Sequence, residues 1–418
     1  MGENASLWHD RTFLTAWVAH STSTIGTAVT SLALPIVAVT ALDASTFEIG
    51  ILRALTTIAF LFLALPAGVL VDRRRKRPLL LWCDAIRAAV LVTVPVAFLL
   101  GGTSISHLYV VAFVVGAASV LSGIAFDSFR TALVPPPLRG EANARIAATD
   151  SFARVSGPGF GAGLVAWVGA ALAVLVDVLS YLLSFVLLTR VKNVAEPQSR
   201  AGGRRRGVLA DIREGFAFVR SDPTLSRIVA CTAIGNFSLF ASGAVTVVFL
   251  IRDLGLAPGL VGLVFCLGES GGLLAAFLAP RLTRSIGSAR IILVSAVCAP
   301  VGYLALFSTP DTVFPVFGAF MIASSARYVL YDIAQYTYRQ SICPPDLLGR
   351  MNASIRWVVG SASPVGAVVG GWLGLVVGPR TTLGIATTVL IAGSLLLIAS
   401  PLRRARDIAE IRQPEAAG

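Results

Sequence analysis

The sequence predicts an all-α membrane protein of twelve transmembrane helices, arranged as two pseudo-symmetric six-helix bundles. Three observations predict it. Hydrophobic residues make up 56% of the chain and charged residues 13%, whereas soluble domains carry roughly 25% charged residues. Apolar runs of about the 20 residues that a helix needs to cross a bilayer recur along the whole length. One segment also occurs twice, as FRTALVPPPLRGEANA from Phe129 and YRQSICPPDLLGRMNA from Tyr338, 209 residues apart in a chain of 418. Arg130, Pro135, Pro136, Gly140, Asn143 and Ala144 thereby match Arg339, Pro344, Pro345, Gly349, Asn352 and Ala353, and the register continues to Gly157 with Gly366 and Gly161 with Gly370. Duplicated halves in so apolar a chain are a mark of transporters with a substrate site between the repeats.

The spans are expected near residues 13–41, 48–71, 79–100, 107–128, 146–169, 171–190, 226–250, 258–281, 289–308, 312–335, 351–377 and 380–401. The tight joins before 171 and 380 are marked by Gly169 and by Gly378 with Pro379, residues that turn a chain readily. This gives an N-terminal bundle over 1–190, a linker over 191–225, a C-terminal bundle over 226–402 and a tail over 403–418. Positive charge stays on the cytoplasmic side of short loops. With the amino terminus inside, 27 of the 34 Lys and Arg fall on that side, and only Arg252 and Arg380 fall outside. The other five, Arg53, Arg87, Arg154, Arg327 and Arg356, lie within spans. Both termini are therefore expected in the cytoplasm. The linker opens with a flexible QSRAGGRRRG tract and continues with Val208, Leu209, Ile212, Phe216 and Val219 at helical spacing, opposite Asp211, Arg213, Glu214 and Arg220. That pattern reads as an amphipathic helix on the membrane surface.

Composition excludes several classes. The net charge of +12 is confined to short segments and reports topology, so no nucleic-acid partner is expected. Cys83, Cys231, Cys266, Cys298 and Cys343 stand singly in or beside apolar runs, without C-x-x-C, and read as buried thiols. No metal site and no cofactor is expected. The opening MGENASLWHD lacks the basic region and cleavage site of a signal peptide. The lysines are Lys76 and Lys192 alone, and neither sits in the phosphate-cradling G-x-x-x-x-G-K-[ST] loop of an ATP-driven pump. His9, His20 and His107 are scattered, and neither H-E-x-x-H nor G-x-S-x-G occurs, so an enzyme is not expected. A sensor would bring a soluble output module, and nothing beyond the linker could be one. Transport is then secondary or passive, in a monomer whose partners are a small-molecule substrate, protons and the lipid bilayer.

After the second span comes Gly68-Val-Leu-Val-Asp72-Arg73-Arg74-Arg75-Lys76-Arg77, followed by Asp84-x-x-Arg87 early in the third. It resembles the G-x-x-x-D-R-x-G-R-R signature that the major facilitator superfamily carries between spans 2 and 3. Arg75 stands where the common form has Gly. The branch that includes enterobactin exporters and macrolide efflux proteins often lacks that Gly and adds the D-x-x-R. The stretches FDSFRTALVP with its following EANA, IREGFAFVRSDP, and Ser156-Gly157-Pro158-Gly159-Phe160-Gly161-Ala162-Gly163 are similar to the same branch. The last resembles the glycine-proline motif of drug:proton antiporters. The resemblance covers nearly the whole chain and implies the major facilitator fold.

It also implies roles for particular residues. Asp72, Arg73, Asp84 and Arg87 would form a charge network, extended by Arg77, that latches in one transport state and breaks in the other. Asp84 and Arg87, three apart, share a helix face and can pair. Arg74, Arg75 and Lys76 read first as charges that fix topology, with a part in the network as the alternative. The duplicated Arg130 and Arg339 read as gate or anchor residues, with Asp127 as the local partner of Arg130. Gly157, Pro158, Gly161 and Gly163 would let helices approach closely and bend. Ionisable groups inside spans are costly, about 2.5–3.5 kcal/mol each at the bilayer centre, and so they are the candidates for proton coupling. Glu269 comes first. Asp150 and Arg154, one turn apart, read equally as a self-neutralising pair or a coupling site, and Asp177 joins them. Trp17, His20, Phe240, Arg327, Arg356 and Trp357 are cavity candidates; His20 could equally be a packing residue.

The expectation is export of a small amphipathic drug-like or secondary-metabolite compound by alternating access with proton antiport. The alternatives are a siderophore or lysolipid exporter of narrow specificity, an importer, or a membrane sensor without transport. Arg-rich, Ala- and Gly-rich usage points to a bacterial GC-rich genome and hence to the cytoplasmic membrane as a multi-pass protein.

Overall fold

The computed structural model describes residues 10–191, 208–344 and 347–407. The linker stretch 192–207, the tail beyond 407, and the side chains of Asp72, Val208, Leu209 and Ile212 lie outside the described residues. All regular structure among the described residues is helical. In chain order the helices are α1 (Arg11–Ala41), α2 (Thr46–Arg73), α3 (Lys76–Leu91), α4 (Thr93–Leu99), α5 (Ile105–Leu133), α6 (Arg139–Val168) and α7 (Ala170–Arg190). They continue with α8 (Val208–Ser221), α9 (Pro223–Val248), α10 (Pro258–Ile286), α11 (Ser288–Val297), α12 (Gly318–Ile342), α13 (Leu348–Val377) and α14 (Pro379–Ile398).

Their ends follow local chemistry. The Asp10 carboxylate accepts from the amides of Thr12 and Phe13 at 2.9 and 3.1 Å and starts α1. A capping box opens α2: the Ser45 amide donates to Glu48 at 2.7 Å, and the Glu48 amide donates to Ser45 Oγ at 3.2 Å, so two otherwise unpaired donors are satisfied reciprocally. Asp222 caps α9 through the Leu225 amide at 2.8 Å, with Pro223 at the first helical position, where its missing N–H costs nothing. The breaks before α7 and α14 sit on Gly169 and Gly378, with φ of 83° and 86°, a region that residues with a Cβ rarely enter.

Among the described residues, eleven segments are long and apolar enough to cross a membrane. Four are composite. They are α3 with α4, which part at Val92 where Pro95 cannot donate to the turn before it, and three α-helices joined to short 3-10 or π turns: α9 with Phe249–Asp253, α11 with Ala299–Phe307, and α12 with Val313–Phe317. The remaining expected span lies in α6, whose 30 residues begin at Arg139 rather than near 146. Its Arg145, Asp150, Arg154 and glycine run lower its hydropathy, so composition alone does not mark it.

The chain divides into two compact units: unit 1 comprises Met1–Ala44, Leu55–Gly203 and Ala257–Leu263, and unit 2 comprises Ser45–Ala54, Arg204–Leu256 and Val264–Gly418. The first turns of α2 and of α10 each group with the opposite half of the sequence. In unit 1, α1 packs on α6 and α7, and α3 packs on α5 and α7, around Ala16, Val71, Leu80, Phe126, Phe129 and Leu188. Gly157 of α6 lies so close to Ala28 of α1 that a Cβ would overlap it, Gly161 abuts Val29 and Leu32, and Gly163 has open space. Small residues let these backbones meet.

In unit 2, α9 packs on α13 and α14, around Leu225, Ile228, Ile292, Tyr338, Met351 and Leu397. Thr46 Oγ1 donates to the Gly371 carbonyl of α13 at 3.0 Å. The linker helix α8 also docks on α13: Glu214 accepts from Arg350 at 3.0 Å, Gly215 sits against Arg350 and Ser354, and Val219 is buried. The apolar face expected to meet lipid is thus partly covered by protein, although Phe216 stays exposed. All five cysteines are free; Cys298 is exposed, against expectation, and Cys83, Cys231 and Cys343 are buried.

Candidate functional site

Most of the ionisable groups expected inside the spans collect in unit 1. The Asp84 carboxylate of α3 pairs with Arg87 on the same helix, and both are nearly inaccessible, at 2% and 6% exposure. Asp84 Oδ2 accepts from Ser184 of α7 at 2.7 Å. Arg87 donates to Ser122 of α5 at 3.2 Å, and its guanidinium lies 4.1 Å from the ring centroid of Tyr181 on α7. A desolvated cation over an aromatic face gains about 2 kcal/mol. The Tyr181 hydroxyl bonds Thr27 of α1 at 2.7 Å. Charge, aromatic ring and hydroxyls thus join four helices.

One turn before Tyr181 lies Asp177, at 0% exposure. Its Oδ1 accepts from Ser180 at 3.1 Å, while its Oδ2 and the neighbouring Thr30 Oγ1 are buried without a hydrogen-bond partner among the described residues. Gly26 of α1 makes room for this carboxyl, since a Cβ there would overlap Asp177 and Ser180. Asp177, Ser180, Tyr181 and Ser184 fall on one face of α7 at helical spacing. Sequence reading named Asp177, Asp84 and Arg87 but missed Tyr181, Ser184, Ser122 and Thr27. The polar D-x-x-S-Y-x-x-S stripe in an otherwise apolar span is the signal that would have found three of the contacts.

A second cluster joins α1 to α6. His20 Nε2 lies 3.1 Å from Asp150 Oδ1, the His20 ring stacks on Phe126 with centroids 4.2 Å apart and planes within 7°, and Trp17 Nε1 donates to Thr149 at 3.1 Å. The expected pairing of Asp150 with Arg154 is replaced by this one, because Asp150 faces α1 whereas Arg154 is exposed and donates to Ser151 at 3.3 Å. His20 is a partner to a carboxylate as well as a packing residue.

The other expected residues lie apart from the network. Asp127 pairs with Arg130 at 3.1 Å as expected. The end of α5 is met by Arg139, which donates to the carbonyls of Thr131 at 2.9 Å and Val134 at 3.2 Å. Arg77 does the same for α7, through the carbonyls of Leu188 and Thr189, a favourable place for a cation. Arg73 is exposed, and the Asp72 side chain lies outside the described residues. In unit 2, Arg339 is buried, with Nε and one terminal nitrogen unbonded among the described residues. The position matching Asp127 is there Tyr336, and the acid whose charge reaches Arg339 is Asp332 on the same helix. Glu269 and Phe240 are half-buried on α10 and α9, and Arg356 and Trp357 are exposed on α13. An open apolar groove of about 500 Å³ beside Gly159, Gly163 and Leu260 contains no ionisable residue. Among the described residues no cluster could hold a metal ion.

Twelve expected spans, eleven of them apolar enough to cross a membrane, and a charge pair following the G-x-x-x-D-R loop are the features of one transporter family. Residues 16–367 match the Major Facilitator Superfamily. The chain belongs to that family. It is a multi-pass membrane transporter of the secondary type, and major facilitators are not enzymes. Among similar proteins, the enterobactin exporter EntS of Salmonella choleraesuis is 25% identical over 94% of this chain and 94% of its own. The multidrug efflux pump Tap of Mycolicibacterium fortuitum is 24% identical over 86% of this chain and 89% of its own. The fold is similar to that of a bacterial homologue of the iron transporter ferroportin, with a TM-score of 0.74 at 15% identity over 94% of this chain and 98% of that one.

Proposed function

We propose that this major facilitator exports a small amphipathic compound, drug-like or a secondary metabolite, by alternating access with proton antiport. It does so from the bacterial cytoplasmic membrane, with both termini inside. The observation that carries the reading is the Asp177 carboxyl, fully buried beside a charge pair that is already neutral. An ionised Asp177 in that place would be an uncompensated buried charge, which is far costlier than the neutral acid. A bound proton removes the cost, and when the other transport state admits water the proton leaves and Arg87 is the nearest cation in the network. Substrate and proton then compete for one conformational cycle. One proton moving down about 100 mV supplies roughly 2.3 kcal/mol, enough for about a 50-fold gradient of a neutral solute. The distribution of Lys and Arg supports the orientation, and the likeness to an efflux pump and an exporter supports the direction.

The test is flux of candidate compounds through proteoliposomes with and without an imposed pH gradient. Gradient-driven export by the wild type, and its loss in Asp177→Asn with insertion intact, is the expected pair of results. Wild-type flux that ignores the gradient removes antiport, and gradient-driven flux in D177N removes Asp177 as carrier. Glu269→Gln, run alongside, decides whether that residue shares the role. A narrower substrate range, such as a siderophore, is favoured by the likeness to EntS over nearly the full length; competition among unrelated compounds in the same flux assay separates the two.

A further inference from the structure

Arg327 stands near the middle of the Val313–Ile342 span, about 21 Å along the helix from either end at 1.5 Å per residue, too far for its side chain to snorkel to a membrane surface. Its guanidinium is half-buried, and Nε is buried without a hydrogen-bond partner among the described residues. The groups that act on it most strongly are Cys231, Tyr331, Cys298 and Tyr328, none of them a carboxylate. Asp332, the nearest acid along α12, accepts instead from Gln335 at 2.8 Å. In unit 1 the corresponding position, 209 residues earlier, is Ala118, so the arginine is no part of a repeated scaffold. The span that carries it is also the least covered by protein: 17% of its most apolar stretch is buried, against 33–61% in the other ten.

A cation at this depth costs several kcal/mol unless an anion meets it, and every cation of the unit 1 network has its partner in place. We infer that Arg327 is a recognition residue for an anionic group, a carboxylate, sulfonate or phosphate, carried by the amphipathic substrate. The guanidinium fork matches the two oxygens of such a group. The half-exposed ring of Tyr328, at 41%, and the exposed Cys298 thiol offer soft, largely apolar surface for the attached body. The Tyr331 hydroxyl is already held by Thr232 at 2.9 Å and the Ile228 carbonyl at 3.1 Å, which leaves the anion to Arg327. The inference rests on the transporter reading only in calling the ligand a substrate.

The experiment measures binding of four matched probes to the purified full-length protein in detergent by tryptophan fluorescence: 2-naphthoate, 2-naphthyl phosphate, neutral 2-naphthamide and cationic 2-naphthylmethylammonium. The wild type is expected to bind the two anions at least tenfold more tightly than the amide and the ammonium. Arg327→Ala should abolish that preference while its amide affinity, the control for a folded protein, is unchanged. Arg327→Lys, which keeps the charge and loses the fork, should retain part of the preference. A wild type that binds no anion more tightly than R327A does, or an anion preference that survives in R327A, overturns the inference. Either result leaves the proton-antiport reading standing, because gradient-driven flux and its dependence on Asp177 are measured separately.

Discussion

Removing Asp84 exposes how the buried pair is held. At 2% and 6% exposure, Asp84 and Arg87 have left nearly all their hydration behind, and each depends on the other and on Ser184, Ser122 and the Tyr181 ring for compensation. Asp84→Ala deletes the counter-charge and leaves Arg87 buried and unpaired, a change worth about 3–5 kcal/mol. Arg87→Ala should cost a similar amount, because it strands the carboxylate. Asp84→Leu with Arg87→Met removes both charges together, and such exchanges for apolar residues of like volume are often neutral or stabilising by about 1–4 kcal/mol. The double variant is therefore expected to be more stable than Asp84→Leu or Arg87→Met alone, with a coupling energy of about 3 kcal/mol from the cycle that those two single variants close. The assay is thermal unfolding of the detergent-purified variants, followed by loss of the monodisperse species. Single substitutions that are nearly harmless, or costs that simply add, would refute the claim that the two charges compensate each other in a dry interior. Transport provides the counterpoint: the double variant should insert and fold yet export poorly, since the network has lost its cation.

Three further predictions follow from packing and from helix ends. Gly157→Leu should destabilise unit 1 by about 1–3 kcal/mol, because its Cβ would overlap Ala28, whereas Gly163→Ala, in a helix interior with open space around it, should raise stability by about 0.4–1 kcal/mol; thermal unfolding of the pair separates a packing glycine from an incidental one. Thr46→Val keeps the shape but leaves the Gly371 carbonyl without its donor, an expected loss of about 1 kcal/mol, measured in the same way. Arg77→Ala frees the last carbonyls of α7 and should cost about 1 kcal/mol, with Arg77→Lys recovering part of it; an unchanged melting temperature in the alanine variant would leave Arg77 with topology as its sole role.

The sequence by itself determined the class, the helical spans and the family. Each of those is written in one-dimensional quantities: the length of apolar runs, the spacing of the repeat, and the motif after the second span. It also marked Asp84 with Arg87 and Asp127 with Arg130, because residues three apart on a helix meet whatever surrounds them. Only the tertiary structure decided the partners that come from different helices. It gave Asp150 to His20 rather than to Arg154, set Tyr181 under Arg87, placed Gly26 where Asp177 needs room, and left Arg327 Nε buried without a hydrogen-bond partner among the described residues. Those pairings depend on which face of each helix turns toward its neighbours, and a mostly apolar span offers little amphipathic contrast from which that rotation could be read. Burial then gives the contacts their weight: a charge or hydroxyl that costs little in water becomes decisive once helix packing has removed the water.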